Sequence, residues 1–438
     1  MRATLIDFLN KESSNLPVTF EGTQALREYR LAAWQSAVGL PFPGKKDEAW
    51  RRISLDGVLN TPLEFLAEKR RDLNAVSGIA EREAASYAGS LFSSPLGSHS
   101  QLDPALVQAG VIFQDFADIE RETPELLAEI SGKLISPTES KFAAAASALA
   151  DFGVVLHVPA GCKIERPLLA RLGAGRPANA SFSHSIIKLQ AGASALLVLD
   201  FVSETNANST KNALHIGILE VILEEGAELS LVELQRLEPT QSNITFERAA
   251  LDSNARLHWV YSALGAGLSK NFIETSLIGE GAEVKMHGLY FTGGDQVLDL
   301  DTQQNHLAPH TTSDLLYKGA AVGKSRTVWE GMIYVDPKAM QTDGYQTNRN
   351  LVLSPNAEVS ALPGLEILAD DVRCSHGATI GKLDEVELFY LQTRGIPRVE
   401  AEQLIMEGFF GEIIEQVPIP ALQTELKEIL SARFILAG

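Results

Sequence analysis

A short turn motif recurs through the middle of the chain and constrains the fold more than any other feature. It reads aliphatic, two free positions, Gly or Asn, Ala, one free position, and then usually an aliphatic residue. Gly and Asn tolerate positive φ, and a small Ala lets neighbouring turns stack closely. We therefore interpret the motif as the turn of a structural repeat. Its Gly or Asn positions are Gly192, Gly226, Asn254, Gly281 and Asn356.

The first four of these positions are separated by 34, 28 and 27 residues, which is the length of one coil of a parallel β-solenoid. Residues 141–380, which carry the motif, consist of short β-branched and Leu-rich runs. Parallel crossovers are overwhelmingly right-handed, so we predict a right-handed parallel β-helix over residues 141–380. A β-sandwich is the alternative, but its Gly- and Asn-rich turns need not recur with the same flanking residues.

Both flanking regions have helical patterns. Residues 1–140 are predicted to be a mainly helical or mixed N-terminal region, because apolar residues recur at helical spacing in segments such as Gln24–Val38. Residues 381–438 are predicted to be a C-terminal helical region. It contains three helices, over Glu385–Arg394, Pro397–Glu415 and Ala421–Phe434. The predicted fold class is therefore mainly β with helical additions at both ends.

Composition excludes several classes of function. The 438 residues carry 37 Lys and Arg against 56 Asp and Glu, a net charge of −19, which speaks against nucleic-acid and anionic-membrane partners. No segment is apolar enough to span a membrane, and Asp7 interrupts the N-terminal apolar stretch where a signal peptide would be uncharged. Two cysteines without a CxxC motif exclude a zinc ribbon. We expect a soluble cytoplasmic protein.

Three patterns that suggest chemistry have simpler explanations. Gly319–Ser325 resembles a P-loop but has three residues between its glycines instead of four, so we interpret it as a loop between strands. His306 and His310 have the spacing of a helical metal pair, but Pro309 opposes a helix. The remaining histidines of the core are expected to be satisfied singly by backbone groups instead of forming a ladder. They are His157, His184, His215, His258 and His287.

The segment Asp370–Thr379 is the most informative for chemistry. Cys374 and His376 are two residues apart, so on a strand both side chains lie on one face. A thiolate and an imidazole together can hold iron or a persulfide sulfur, so these two residues are candidate ligands. Asp370 and Asp371 would raise the thiol pKa, which argues against an activated nucleophile. A buried cysteine and a surface histidine with no further role are the alternative.

The C-terminal helices carry more apolar surface than so short a segment can bury internally. Such a surface is typical of a protein-binding site. We therefore predict a partner-binding region at residues Phe389, Tyr390, Leu391, Leu404, Ile405, Phe409 and Phe410.

Several of these segments resemble the SufB/SufD family of the SUF iron–sulfur cluster assembly system. The resemblance is densest in Tyr345–Ser354 and Asp370–Thr379, and it extends to Gly153–Gly161, His306–His310 and Asp47–Arg51. The chain is most similar to the SufD branch. SufB proteins carry a cysteine where this chain has Asn348, and Glu-His-Glu where it has Ser375-His376-Gly377.

The resemblance implies a non-enzymatic scaffold subunit. It implies pairing with SufB through the β-helix core and binding of the ATPase SufC through the C-terminal helices. No stably bound cofactor is expected, and transient iron or a nascent cluster is expected at the SufB–SufD interface. Two alternatives stay open, a β-helix lyase or hydrolase acting on polysaccharide and a SufB-type sulfur acceptor; whether the isolated chain forms a homodimer also stays open.

Overall fold

The computed structural model describes residues 2–10, 22–65, 86–174, 178–203 and 212–437. The helices are α1 (Leu5–Leu9), α2 (Gln24–Gly39), α3 (Asp56–Asn60), α4 (Pro104–Gln108), α5 (Phe116–Glu122), α6 (Pro124–Ile130), α7 (Lys141–Leu149), α8 (Glu385–Thr393), α9 (Arg398–Ile414) and α10 (Pro420–Ala437). The strands before the repeat region are β1 (Arg2–Ala3), β2 (Leu63–Glu64), β3 (Gly89–Ser94), β4 (Gly97–Leu102) and β5 (Ile112–Asp115).

The strands of the repeat region are β6 (Val154–Val158), β7 (Leu168–Gly173), β8 (Ala180–Leu189), β9 (Ser194–Val202), β10 (Ala213–Leu223), β11 (Glu228–Arg236), β12 (Gln241–Leu251), β13 (Arg256–Ala263), β14 (Leu268–Leu277), β15 (Glu283–Thr292), β16 (Val297–His306), β17 (Thr312–Ala321), β18 (Arg326–Val335), β19 (Thr342–Val352), β20 (Glu358–Ile367) and β21 (Val372–Gly381).

These strands form two parallel sheets that face each other. The even sheet runs β20-β18-β16-β14-β12-β10-β8-β6-β5, and the odd sheet runs β21-β19-β17-β15-β13-β11-β9-β7-β3-β4. Every strand from β8 onward pairs in parallel with the strand two ahead or two behind it, which is the pairing of consecutive coils. The predicted parallel β-solenoid is therefore confirmed, and the sandwich alternative is wrong.

One corner of each coil is built by a residue with positive φ. Gly192, Gly226, Asn254 and Gly281 hold this position with φ of 66°, 63°, 56° and 71°. In each case the residue's N–H donates to a carbonyl of the next coil, as from Gly226 to Ser253 at 2.9 Å. The motif therefore marks the corner that precedes strands of the odd sheet.

The fifth predicted occurrence, Asn356, is at a different corner. It lies between β19 and β20, where the chain passes from the odd sheet back to the even one. Two later residues, His310 and Gln341, occupy the same corner as Gly192, Gly226, Asn254 and Gly281, and both have φ of 58°. They follow at 29 and 31 residues, so the period persists although the residue type changes. We call these six positions the corner row.

The solenoid has a largely apolar interior, and helices cover the outer faces of both sheets. Leu231, Trp259 and Leu315 are among the interior residues, which alternate along the strands with outward-facing ones. The N-terminal helices cover the outer face of the even sheet, where Trp50 packs on Phe142 and on Phe272, and Phe272 stacks on Phe246. The N-terminal helices thus bury apolar residues both on the solenoid and on one another, since α2 packs along α7.

The three predicted C-terminal helices are confirmed as α8, α9 and α10. Asp384 caps α8, because its carboxylate accepts a hydrogen bond from the N–H of Val386 at 2.7 Å. α9 and α10 pack on the outer face of the odd sheet, where Phe410 and Ile413 meet Val260 and Phe291.

Strand pairing begins before residue 141. β3 pairs in parallel with β7, and β5 pairs in antiparallel orientation with β6, so segments 89–94 and 112–115 of the N-terminal region extend the two sheets. Within residues 141–380, α7 is the one helix among the described residues, and it is nine residues long.

Candidate functional site

The last coil of the solenoid is open to solvent. β20 and β21 are the terminal strands of their sheets, and no other strand of the described residues pairs with their outer edges. The strands before them are largely buried, whereas most residues of β20 and β21 are half-buried or exposed. Large apolar side chains lie at this open end, namely Leu362, Ile367, Leu368 and Ile380. An unpaired edge with exposed apolar residues is a ready surface for another β-structure.

Cys374 and His376 both lie on β21, in register with Gly344 and Gln346 of β19. Their side chains are on the face that continues the solenoid interior, because the neighbouring β19 residues Gln346 and Asn348 are buried. The two residues differ in environment. Cys374 is half-buried and packs against an apolar cluster that includes Ile333, whereas His376 is exposed.

Burial raises the pKa of the Cys374 thiol, and the Asp343 carboxylate raises it further. The thiol is therefore neutral at physiological pH, and it is a weaker ligand and nucleophile than a thiolate. The sequence predicted that Asp370 and Asp371 would raise this pKa, but in the structure the contributing carboxylate is that of Asp343. Among the described residues, no group of three or more His, Cys, Asp or Glu side chains is arranged to hold a metal ion. Cys374 and His376 would thus need ligands from beyond the described part of this chain.

Behind the open end, the interior is tied by amides and a tyrosine. The Asn348 amide donates to Tyr290 Oη at 2.9 Å, and Tyr290 Oη donates to Asn350 Oδ1 at 2.6 Å. Asn350 in turn donates to Asn348 Oδ1 at 2.5 Å. Asn348 is fully buried, so its amide has a packing role in the interior.

The structure separates most of the histidines singled out in the sequence. His306 is buried and bonds Thr311 and Ser313 at 2.7 and 2.8 Å, whereas His310 is exposed at its corner. His184 and His215 are in neighbouring strands, but their partners differ. His184 bonds Glu220, whereas His215 bonds Ser183 and Asn243.

Only His258 and His287 contact each other among the described histidines, with 3.0 Å between Nε2 and Nδ1. Burial lowers the pKa of both to about 4, so both are neutral at pH 7. No stacked histidine ladder forms. Gly319–Ser325 comprises the end of β17 and a turn, as predicted for a loop between strands.

The C-terminal helices present an exposed apolar patch. Val386 and Phe389 are 75% and 66% exposed, and Tyr390 and Leu404 are also exposed. We call these four residues the helical patch. Of the other predicted partner-binding residues, Leu391, Ile405 and Phe409 are half-buried and Phe410 is buried against the odd sheet. Sequence spacing missed Val386, since it lies in the first turn of α8.

Lys318 fixes the position of α9 on the odd sheet. Its ammonium donates to the carbonyl of Phe409 at 2.8 Å and pairs with Glu412 at 2.6 Å, and it lies over the Phe409 ring. Phe409 and Phe410 therefore attach α9 to the solenoid, whereas the four residues of the helical patch remain exposed.

The described residues define a parallel β-solenoid protein with an open end and an exposed apolar helical patch. Comparison with known families identifies the family of the chain. A family model described as "SUF system FeS cluster assembly, SufBD core domain" matches residues 171–409, and one described as "SufBD protein N-terminal region" matches residues 95–169. The chain belongs to the SufBD family.

Curated relatives carry the same description. A Staphylococcus haemolyticus iron–sulfur cluster assembly SufBD family protein is 27% identical over 345 residues, which cover 78% of this chain and 73% of the relative. The iron–sulfur cluster assembly protein SufB of Bacillus subtilis is 28% identical over 347 residues, with the same coverage of both chains. The predicted family is confirmed, and the polysaccharide-active alternative has no support. None of the described helices is long and apolar enough to cross a membrane.

Proposed function

We propose that this chain is a non-enzymatic scaffold subunit of the SufD branch, which pairs with a SufB protein and binds the ATPase SufC. Asn348, Ser375 and Gly377 support the SufD branch, since the thiol and both carboxylates of the SufB pattern are absent. A SufB-type sulfur acceptor is disfavoured because the side chain at position 348 is an amide engaged in packing. In this role the protein works in the cytoplasm and holds no resident cofactor.

The open end of the solenoid is the observation that carries this proposal. A SufB protein with the same fold would add its strands to β20 and β21 and cover Leu362 and Ile380. Strand addition satisfies the free backbone groups of the edge, and the apolar side chains provide the burial. In the absence of SufB, a second copy of this chain would use the same edge.

Co-purification tests this pairing. Leu362→Glu with Ile380→Glu places two charges in the proposed interface, and we expect recovery of SufB to fall at least tenfold. Ile278→Glu is the matched control, because Ile278 is similarly exposed but lies between β14 and β15 in the middle of the solenoid. Normal SufB recovery with the double variant, or equal loss with the control, contradicts the proposed interface.

The helical patch is proposed as the SufC-binding surface. Val386→Asp with Phe389→Asp should abolish SufC capture, whereas Val107→Asp, at an equally apolar exposed site on α4, should not. Deletion of residues 381–438 is a less sharp test. It also uncovers buried odd-sheet residues such as Val260 and Phe291, because α9 and α10 cover them. Retained SufC binding in the double variant refutes this assignment.

Iron and the nascent cluster are cargo in this proposal. His376 is exposed and has a free imidazole to offer, and SufB would supply the ligands that the described part of this chain lacks. His376→Ala should leave folding and SufB binding intact but lower cluster formation in cells, while Ser375→Ala on the opposite face of β21 should have no effect. Normal cluster formation with normal iron in the purified complex would show that His376 is not a ligand. We expect Cys374→Ser to have the smaller effect, because its thiol is neutral.

A further inference from the structure

Two glutamates face each other inside the solenoid, far from any described surface. Glu233 lies on β11 of the odd sheet and Glu247 lies on β12 of the even sheet, and both are only 2% exposed. Thr245, on the same face of β12 as Glu247, belongs to the interior as well. Two like charges at this place would have to be desolvated and would repel each other across the interior.

A directed chain of hydrogen bonds leads to this pair. The neutral imidazole of His215 accepts from Ser183 at 2.8 Å and donates to Asn243 Oδ1 at 2.7 Å. Asn243 donates to Ser269 at 3.2 Å, and Ser269 donates to Asn271 at 2.7 Å. Each donor points toward the next residue of the chain.

The last members of the chain end on Glu247. The Asn271 amide donates to Thr245 Oγ1 at 2.7 Å, and the Thr245 hydroxyl donates to Glu247 Oε1 at 2.5 Å. On the other side, Trp259 Nε1 donates to Glu233 Oε2 at 3.1 Å. With this polarity Glu247 is the terminal acceptor, and donors that all point one way polarise one another.

Glu247 Oε2 has no hydrogen-bond partner among the described residues when both carboxyls are ionised. A proton on Glu233 supplies the missing donor, because the carboxylic acid then bonds the Glu247 carboxylate. We infer that Glu233 and Glu247 form a proton-binding site that ties the two sheets together, with Glu233 as the acid and Glu247 as the carboxylate.

Among the described residues, no positively charged group faces the pair. The titratable groups that face it are Tyr261 of β13 and Tyr317 of β17, and burial raises the pKa of both phenols well above the ordinary value. On the even sheet, the titratable residue in the chain of hydrogen bonds is His215. Burial lowers its pKa to about 4. All three are neutral at pH 7. A proton is therefore the positive charge that the pair can use.

The site makes the stability of the solenoid depend on pH. Burial raises the pKa of Glu247 to about 7 and raises that of Glu233 well above its ordinary value. Because the folded state keeps protons that the unfolded chain releases near pH 4.5, the contribution of this pair to stability is greatest below that pH and falls as pH rises. Above pH 7 one retained proton should increase the unfolding constant by about tenfold per pH unit.

Glu233→Gln tests the inference on the full chain, because the amide donates to Glu247 as the acid does but cannot ionise. In the wild type the unfolding constant should rise about tenfold per pH unit between pH 7 and 9, and in this variant we expect that rise to be absent. Glu228→Gln, at an exposed position of the same strand, should keep the wild-type slope. Equal slopes in all three proteins overturn the inference.

Infrared spectroscopy of wild-type protein with 13C-labelled glutamate gives a readout that does not depend on a folded variant. We expect a protonated carboxyl band that persists at pH 8 and disappears on unfolding. Burial raises the pKa of Asp301 to about 7, but an aspartate carries no label and so cannot give the labelled band. Absence of the band in folded protein at pH 8 would mean that the pair does not hold a proton.

Discussion

The two ends of the solenoid stop in different ways. At the N-terminal end the sheets finish in antiparallel strands, with β4 beside β3 and β5 beside β6, and helices cover the early coils. At the C-terminal end the sheets finish in β20 and β21, which are parallel, mostly exposed and unpaired on one side within the described residues. A solenoid needs a cap at each end to remain soluble as a single chain. The proposed pairing with SufB would supply the cap that the described residues lack at the C-terminal end.

Large-to-small substitutions at the two ends should differ most. Phe113 is buried in β5 at the capped end, so Phe113→Ala should lower the free energy of unfolding by about 3–5 kcal/mol. Ile380 is half exposed in β21, and Ile380→Ala should lower it by less than about 1 kcal/mol in the isolated chain. Chemical denaturation measures both. Similar losses at the two sites would mean that the open end is buried in the isolated protein.

The covering of the capped end depends on one buried carboxylate. Glu220 on β10 accepts from His184 Nε2 at 2.8 Å and from the N–H groups of Gly132, Leu134 and Ile135 at 2.8, 2.6 and 3.2 Å. Glu220→Ala leaves these donors without an acceptor, so we expect a loss of about 3 kcal/mol.

The Glu220 interaction also predicts sensitivity to acid. Burial raises the pKa of Glu220, but the hydrogen bonds and charge of His184 and the loop amides outweigh it, and the net pKa is lowered. Its stabilisation is therefore present above pH 4.5 and is lost as pH falls below that value. We expect chemical denaturation at a series of pH values to show a smaller loss of stability below pH 4.5 in Glu220→Gln than in the wild type. The exposed control Glu228→Gln should show the wild-type loss. An unchanged loss in Glu220→Gln contradicts the assignment.

Hydrogen exchange compares the ends directly. Amides of β20 and β21 should exchange fast in the isolated chain, and those of β16 slowly, because only the latter strand is paired on both sides. With SufB at about 100 times its Kd, exchange at β20 and β21 should slow by up to about 100-fold. Slowing at β16 with no change at β20 and β21 would place the partner elsewhere.

The sequence predicted the solenoid because its corners repeat, and it failed where a corner uses an unexpected residue. His310 and Gln341 were missed because the motif required Gly or Asn at the corner, and Asn356 was assigned to these corners although it lies at the opposite one. The interior acids were also missed. In a strand such as β12, polar residues at alternate positions indicate a solvent-facing side, yet Asn243, Thr245 and Glu247 all point inward. Tertiary hydrogen bonds across the interior, which no local pattern reveals, decide that orientation.

Phe410 shows the same limit for the helical region. Its spacing next to Phe409 suggested a partner-binding residue, but it is 1% exposed, since α9 needs an apolar contact with the odd sheet. Phe389 and Tyr390 are exposed, and their binding of a partner stays a prediction. Amphipathic patterns show that a helix has an apolar face but do not show whether the same chain or a partner covers it.

The corner row gives the smallest and most local contrast between the two ends. Early corners use Gly or Asn, whereas the last two use His310 and Gln341, which adopt the left-handed conformation at a cost of about 1–2 kcal/mol relative to Gly. Gly in turn costs about 0.5–1 kcal/mol of additional backbone entropy on folding. Gln341→Gly should therefore stabilise the chain by roughly 0.5 kcal/mol, because the strain removed exceeds the entropy lost.

Two variants bracket this expectation. Gly226→Ala, at an early corner with φ of 63°, should destabilise by about 1 kcal/mol, since it introduces the strain that Gln341 already bears. Lys338→Gly, in the turn just before Gln341 and without positive φ, should also destabilise slightly. The N–H of Gln341 donates to the carbonyl of Asp371 at 2.6 Å. If denaturation shows that Gln341→Gly destabilises the chain as much as Lys338→Gly does, the backbone at Gln341 is not strained. If Gln341→Gly is stabilising, the strain of the last corners is a local cost that the early coils avoid.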